Sequence, residues 1–222
     1  MPDPRKQAKE PPQPVVFIVD DDVSMREALT DLFRSMKFDA EAFDSATAFL
    51  EKANLNRPGC LLLDVRLPGI SGLDFQMQLE RVGNRMPIIF MTGFGDIPMS
   101  VRAMKAGAVD FLTKPFKEQD ILDAVAAAME RDASRRRESA QNEAVSSLAE
   151  QLTPREREVM SAVVRGLMNK QIAYELGISE VTVKLHRGNV MRKMEARSVA
   201  DLVRKAELIG EDAPTCILVW YL

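Results

Sequence analysis

Three acidic residues, a hydroxyl and an ammonium each lie at the end of a short apolar run. Asp20 and Asp21 follow VVFIV, Asp64 ends CLLLD, Thr92 follows PIIFM and Lys114 follows VDFLT. Such runs are typical of fully buried parallel strands. Ligands of open α/β sheets bind beyond the carboxyl ends of the strands. These five side chains are therefore predicted to meet in one crevice.

The residue types in this predicted crevice suit a divalent cation and a phosphoryl group. Clustered carboxylates repel one another unless a cation neutralises them, and Mg²⁺ is typically held by one or two carboxylates together with phosphate oxygens. A further carboxylate, for which Asp64 is the best candidate, would then attack phosphorus and form an acyl phosphate. Lys114 and Thr92 would stabilise the transferred oxygens. The alternative, for any one position alone, is an ordinary solvated turn residue.

The motifs VFIVDDD, LLLDVRLPGISG, MTGFGD and DFLTKPF resemble the receiver domain of two-component response regulators. The resemblance implies an α/β fold, a doubly wound five-stranded parallel sheet of the flavodoxin-like type with strand order 2-1-3-4-5. It also implies Mg²⁺ or Mn²⁺ as the cofactor and a cis bond between Lys114 and Pro115. The implied catalytic residues are Asp64, as phosphoacceptor, Thr92 and Lys114, and the implied switch residues are Thr92 and Phe111. The implied metal ligands are Asp20, Asp21, Asp64 and the backbone carbonyl of Arg66.

Composition and charge divide the chain into an acidic and a basic half. The 222 residues are 46% hydrophobic and 28% charged, with a net charge of −3, which is ordinary for globular domains. Residues 15–130 contain 12 basic and 18 acidic residues, a balance of −6, whereas residues 152–210 contain 11 and 7, a balance of +4. The acidic half suits metal binding, and the basic half is able to meet phosphates.

Cysteines and apolar runs exclude two classes of protein. Cys60 and Cys216 provide neither a disulfide framework nor the spacing of a metal site. No apolar run approaches the roughly 18 residues of a membrane span, and no signal peptide precedes the first strand. A cytoplasmic protein without a membrane partner is therefore predicted.

The remaining segments set the predicted domain organisation. Residues 1–14 contain five prolines and are predicted to be a disordered leader. Neither Gly nor Pro occurs from 118 to 153, which predicts one long helix or a helix with a frayed tail. A solvated linker helix is favoured over a coiled coil, because the apolar stripe does not persist for three heptads. The predicted segments are a leader (1–14), a receiver domain (15–130), a long helical linker (131–151), a small all-α helix-turn-helix domain (152–210) and a tail without an assigned role (211–222).

The basic half contains the helix-starting and helix-ending residues of a helix-turn-helix domain. Thr153 to Glu156 form a capping box with proline at the first helical position, and that helix is predicted to end at Gly166. A short helix is predicted to end at Gly177, and Ser179 is predicted to cap a third helix. On a helical wheel, Val183, Val190 and Met194 of the third helix face the core, and a mostly polar, basic face lies opposite.

The segment from LTPREREVM to NVMRKM resembles the helix-turn-helix domain of LuxR-type regulators. Joined to a receiver, it resembles the NarL/FixJ family, and the stretch GDIPMSVRAMKAGAVDF favours the FixJ-like branch. For His186, half-buried packing is an alternative to a phosphate contact, and Gly188 departs from the larger residue common in the family. The predicted DNA contacts are Thr182, Lys184, Leu185, His186, Arg187, Gly188, Asn189, Arg192 and Lys193.

Together these features predict a phosphorylation-controlled transcriptional regulator of a two-component system. The predicted partners are a cognate sensor histidine kinase, promoter DNA, RNA polymerase and, after phosphorylation, a second copy of the chain. The alternative is a phosphate sink or protein-sequestering module without specific DNA readout. An enzyme with its own substrate is not expected, because the crevice supports only self-phosphotransfer and autodephosphorylation.

Overall fold

The computed structural model describes residues 13–93 and 97–210, and the chain divides into two units, Met1–Arg135 and Arg136–Leu222. Most of the predicted leader, the predicted tail and Cys216 lie outside the described residues. The strands are β1 (Val15–Val19), β2 (Asp39–Phe43), β3 (Gly59–Asp64), β4 (Ile88–Thr92) and β5 (Asp110–Thr113). The helices are α1 (Val23–Ser35), α2 (Ala46–Lys52), α3 (Gly72–Arg81), α4 (Ile97–Lys105), α5 (Glu118–Glu150), α6 (Pro154–Val164), α7 (Asn169–Leu176), α8 (Glu180–Lys193) and α9 (Val199–Leu208).

The strands of the first unit form one parallel sheet in the order β2-β1-β3-β4-β5. This order confirms the prediction. The apolar runs of β1, β3 and β4 are fully buried, as predicted. The same expectation is wrong for β5, whose residues are half-buried or exposed. The reason is its position, because an edge strand has a neighbour on one side only.

Helices cover both faces of the sheet, so the doubly wound arrangement is also confirmed. Side chains alternate between the faces along each strand. One core contains Phe17, Phe49, Leu61, Phe75, Phe90 and Ala103 from the strands and α2, α3 and α4. The other contains Ile18, Phe33, Leu62, Ile89, Ile121 and Val125 from the strands and α1 and α5.

Short polar side chains cap several of the helices, including the two that the sequence predicted, at Thr153 and Ser179. Ser45 accepts a hydrogen bond from the Ala48 amide, at 3.2 Å, at the start of α2. Ser71 caps α3 and Ser179 caps α8 in the same way. The capping box of Thr153 is present at α6. These caps satisfy amide donors that have no partner within the helix.

The predicted long helix is continuous as α5, with 33 residues. Its early residues Ile121 and Val125 belong to a core of the first unit. Its late residues Val145 and Ala149 are buried in the core of the second unit. Sequence reasoning did not identify these late residues, because two apolar positions among polar neighbours are too few to reveal a stripe. The segment boundaries at residues 130 and 151 stay predictions.

The second unit is helical, and α7 and α8 form the predicted helix-turn-helix pair. Val183, Val190 and Met194 are buried in its core, as the helical wheel predicted. Gly177 ends α7 with a φ of 65°, a left-handed conformation that favours glycine. Among the described residues, no helix is both long and apolar enough to cross a membrane.

A buried carboxylate, Glu156, joins three parts of the second unit. Its Oε2 accepts hydrogen bonds from the Thr153 amide at 2.9 Å and from Lys193 Nζ at 2.6 Å. Lys193 Nζ also donates to the Gln151 carbonyl at 3.1 Å. The Lys193 ammonium, and then the Thr153 amide, lower the pKa of Glu156 to about 2. Because this pKa lies below the ordinary value of 4.5, the ionised carboxylate stabilises the fold above pH 4.5, and that contribution is lost as the pH falls towards 2.

We expect Glu156→Gln to lower the free energy of unfolding of the second unit by about 1–3 kcal/mol at pH 7, because it leaves Lys193 without its carboxylate. The variant should also lose less stability than the native chain between pH 4.5 and 2. The measurement is urea unfolding of the full chain at several pH values, followed through the amide NMR signals of α8.

The matched control is Glu158→Gln on the same helix. Glu158 pairs with Arg155 at the surface, where such pairs contribute about 0–1 kcal/mol. If both variants lose the same stability and keep the native pH dependence, Glu156 does not have this role.

Candidate phosphoacceptor site and nucleic-acid interface

The carboxyl ends of three adjacent strands bring the predicted crevice residues together. Asp20 directly follows β1, Asp64 ends β3 and Thr92 ends β4, and Asp64 lies in register with Met91. Carboxylate oxygens of Asp20, Asp21 and Asp64 all lie within 4.8 Å of one another. Of these acids, Asp20 and Asp64 are buried and Asp21 is exposed. This is a carboxylate donor set that a hard divalent cation favours.

Lys114 bridges two of these carboxylates. Its Nζ lies 2.5 Å from Asp20 Oδ2 and 2.6 Å from Asp64 Oδ2. Burial raises the pKa of Asp20, and Lys114 only partly opposes that effect. Burial by itself would lower the pKa of Lys114, but hydrogen bonds to Asp20 and Asp64 outweigh it and raise that pKa. The ammonium therefore stays protonated and supplies the positive charge that the cluster needs.

The backbone around Asp20 fixes its orientation. Asp20 Oδ1 accepts a hydrogen bond from the Asp22 amide at 2.9 Å, and the Asp20 carbonyl accepts one from Arg26 Nη1 at 2.7 Å. The Asp22 carboxylate is used differently, because it caps α1 by accepting from the Ser24 amide at 2.8 Å. Of the three consecutive acids at positions 20–22, Asp22 is thus a helix cap. Asp20 and Asp21 are the pair that lies beside Asp64.

Gly72 allows α3 to begin directly beside the candidate phosphoacceptor. A Cβ on Gly72 would lie 2.5 Å from the Asp64 carbonyl and 3.2 Å from the Phe90 ring. The Gly72 amide also donates to the Val65 carbonyl at 2.9 Å, and Asp64 Oδ1 accepts from the Arg66 amide at 2.9 Å. Sequence reasoning did not identify this role of Gly72. The close approach depends on how the start of α3 lies against the end of β3, which spacing does not reveal.

The predicted switch residues lie next to the crevice on β4 and β5. Thr92 is fully buried, and its carbonyl accepts a hydrogen bond from the Lys114 amide at 2.7 Å. Phe111 is half-buried and contacts Phe90, with ring centroids 6.3 Å apart. The peptide bond between Lys114 and Pro115 is cis, as the resemblance implied.

The outer face of α8 carries most of the predicted DNA contacts. Lys184, Leu185 and Gly188 are exposed, with Leu185 at 64%. Asn189 accepts a hydrogen bond from Arg192 Nη2 at 3.2 Å. A basic helix that exposes a leucine has both polar groups for base edges and an apolar group for a thymine methyl.

The other residues of α8 predicted to contact DNA form bonds within the second unit or are partly buried in it. Arg187 Nη1 donates to Asn169 Oδ1 on α7 at 2.8 Å, and the Lys193 ammonium is held by Glu156. Thr182 Oγ1 lies 2.8 Å from Ser179 Oγ at the helix cap. His186 is half-buried, and its buried Nδ1 has no hydrogen-bond partner among the described residues.

Two family models match the chain in these two regions. Residues 16–126 match the response regulator receiver domain, and residues 150–206 match the bacterial regulatory proteins of the luxR family.

Known proteins resemble the chain over almost its whole length. It is 56% identical to nodulation protein W of Bradyrhizobium diazoefficiens, over 90% of this chain and 88% of that protein. It is 46% identical to the transcriptional regulatory protein FixJ of Azorhizobium caulinodans, over 88% of this chain and 92% of that protein. A solved structure of the response regulator StyR superposes with a TM-score of 0.78 and 51% identity. The match covers 88% of this chain and 98% of that chain. The chain therefore belongs to the NarL/FixJ family of response regulators, and it is a two-component transcriptional regulator with a receiver and a LuxR-type DNA-binding domain.

Proposed function

We propose that Asp64 accepts a phosphoryl group from a cognate sensor histidine kinase and that this modification controls DNA binding. The observation that carries the proposal is the position of Lys114 Nζ, within 2.6 Å of both Asp64 and Asp20. A carboxylate with a fixed ammonium beside it is suited to receive an anionic group, because the ammonium can transfer its hydrogen bonds to the incoming oxygens.

In the proposed reaction, a carboxylate oxygen of Asp64 attacks phosphorus while the bond from phosphorus to the donor nitrogen breaks. Lys114 then pairs with one phosphoryl oxygen and the Thr92 hydroxyl donates to another. Asp20, Asp21, Asp64 and the backbone carbonyl of Arg66 would hold Mg²⁺ or Mn²⁺, which would supply positive charge to the phosphoryl oxygens. Hydrolysis of the acyl phosphate restores Asp64, so the chain is proposed to act on no substrate of its own and is not an enzyme in that sense.

We expect Asp64→Asn to abolish phosphorylation by a small phosphodonor such as acetyl phosphate in the presence of Mg²⁺, because an amide is a poor nucleophile. Asp21→Ala should abolish the metal-dependent labelling and leave the fold intact, since Asp21 is exposed. Intact-mass spectrometry of the full chain measures both.

Asp22→Asn is the matched control for these variants. Asparagine caps a helix about as well as aspartate, so α1 is retained and labelling should stay at the native level. Undiminished labelling of Asp64→Asn would rule out Asp64 as the acceptor.

Phosphorylation is further proposed to make the chain a homodimer through α4 and β5. The Thr92 hydroxyl would move towards the phosphoryl group, and Phe111, which is only half-buried, would repack into the space beside it. Val101 and Met104 already expose apolar surface on α4, next to this edge strand. A change in packing here would alter the surface that a second copy meets.

Analytical ultracentrifugation tests the proposed dimer. Beryllofluoride, which mimics the phosphoryl group, should shift the native chain from monomer to dimer at micromolar concentration. Phe111→Ala should reduce that shift, and Phe38→Ala, which truncates a half-buried phenylalanine of the other core, should not. An unchanged native mass would argue against dimerisation as the output.

The DNA-binding unit is proposed to read promoter DNA with α8 in the major groove. The proposed contacts are those predicted from the sequence: Thr182, Lys184, Leu185, His186, Arg187, Gly188, Asn189, Arg192 and Lys193. Exposed Lys184 and Leu185 support readout of base edges better than they support a sequestering module. RNA polymerase is proposed as a further partner because a promoter-bound regulator acts on it, and promoter DNA makes the cytoplasm the proposed location.

We expect Lys184→Ala to cost roughly 1–3 kcal/mol on the specific site and to relax base preference, as for a lost base contact. Lys170→Ala, an exposed lysine on α7, should weaken all sequences about equally and reduce the salt slope by about one unit, because the first helix of the motif crosses the DNA backbone. Fluorescence anisotropy with matched and scrambled duplexes over a salt series separates the two effects. The same response in both variants would contradict the proposed recognition face.

A further inference from the structure

A cavity of the receiver lies near the amino ends of the strands, whereas Asp64 lies at their carboxyl ends. Its volume is about 380 Å³, within the range of small-molecule sites. Its wall includes residues 86–88, which lead into the amino end of β4, and residues 106–107, which lead towards β5. Because the strands are parallel and Asp64 ends β3, this basal cavity is separate from the phosphoacceptor crevice.

The wall of the basal cavity has an excess of positive charge. It contains Arg85, from the loop before β4, and Arg131 and Arg135, one turn apart on α5, together with a single acid, Glu80. Arg135 is paired with the buried Asp132 at 2.5 Å. No carboxylate of residues 13–93 or 97–210 pairs with Arg85 or Arg131. Two guanidinium groups thus remain available for an anion.

Two side chains of the cavity wall each have a buried polar atom without a partner among the described residues. Gln76 is only 3% exposed, and its Nε2 donates to the Ala106 carbonyl at 2.6 Å. That bond fixes the orientation of the amide, and Gln76 Oε1 then has no donor among the described residues. Arg135 Nε likewise has no acceptor among them. Buried polar atoms nearly always have a partner. A guest with one hydroxyl donor and one acceptor would therefore complete the site.

We infer that the basal cavity binds a small organic anion in which a hydroxyl group lies close to a carboxylate or phosphate group. The anionic oxygens would accept hydrogen bonds from the three arginines, and the hydroxyl would donate to Gln76 Oε1. The bound molecule would connect the loop before β4 to α5. By mass action it would stabilise the packing of α5 at the base of the sheet.

Calorimetric titration of the full chain with malate, succinate and inorganic phosphate tests this inference. Chelator is present so that a metal ion does not recruit anions to the crevice. Malate should bind at one saturable site and several-fold more tightly than succinate, which lacks only the hydroxyl. Tighter binding of phosphate than of malate would keep the site and assign it to phosphate esters. In NMR spectra, the amides of Ala106 and Gly107 should shift, and those of Asp64 and Arg66 should not.

Charge-matched variants locate the binding. Arg85→Gln and Arg131→Gln should each weaken malate binding at least about tenfold. Arg81→Gln removes the same charge from an exposed position of α3 outside the wall and should bind malate as the native chain does. The inference is overturned if neither malate nor phosphate saturates at millimolar concentration, if all three variants weaken equally, or if only the crevice amides shift. Equal affinity for malate and succinate would overturn the assignment of Gln76 Oε1.

Discussion

Repulsion among carboxylates at the end of a buried sheet is the constraint around which the receiver is built. Asp20 is completely buried, and burial raises its pKa because the charged form loses solvent. The Lys114 ammonium holds Asp20 and Asp64 together at hydrogen-bond distance. In the proposed reaction the same ammonium turns to the incoming phosphoryl group, so the interaction that stabilises the resting site also prepares the modified one.

Features that depend on local pattern could be predicted from the sequence. The helix caps and the meeting of Asp20, Asp64 and Lys114 follow from turn residues, apolar runs and the rule that parallel strands share their carboxyl ends. The strand order was implied by the resemblance to receiver domains. The core face of α8 followed from helical periodicity. The burial of β5 was overestimated, because a run of apolar residues does not reveal that the strand lies at the edge of the sheet.

Features that depend on distant pairs could not be predicted in this way. Lys193 was predicted only as a DNA contact, and the sequence did not indicate that its ammonium also meets Glu156, 37 positions away. Gly72 matters because the first residue of α3 lies against the end of β3. In both cases the sequence contains the residue, whereas only the packing of helices and strands identifies its partner.

The contacts behind α8 determine how much conformational freedom the DNA-binding unit loses when it docks. Glu156 holds one end of the helix through Lys193, and Asn169 holds its middle through Arg187. Both bonds exist without DNA. In the proposed complex the helix would therefore arrive preorganised, and the entropy lost at the operator would be confined to exposed side chains such as Lys184 and Leu185. More of the contact energy is then available to distinguish one sequence from another.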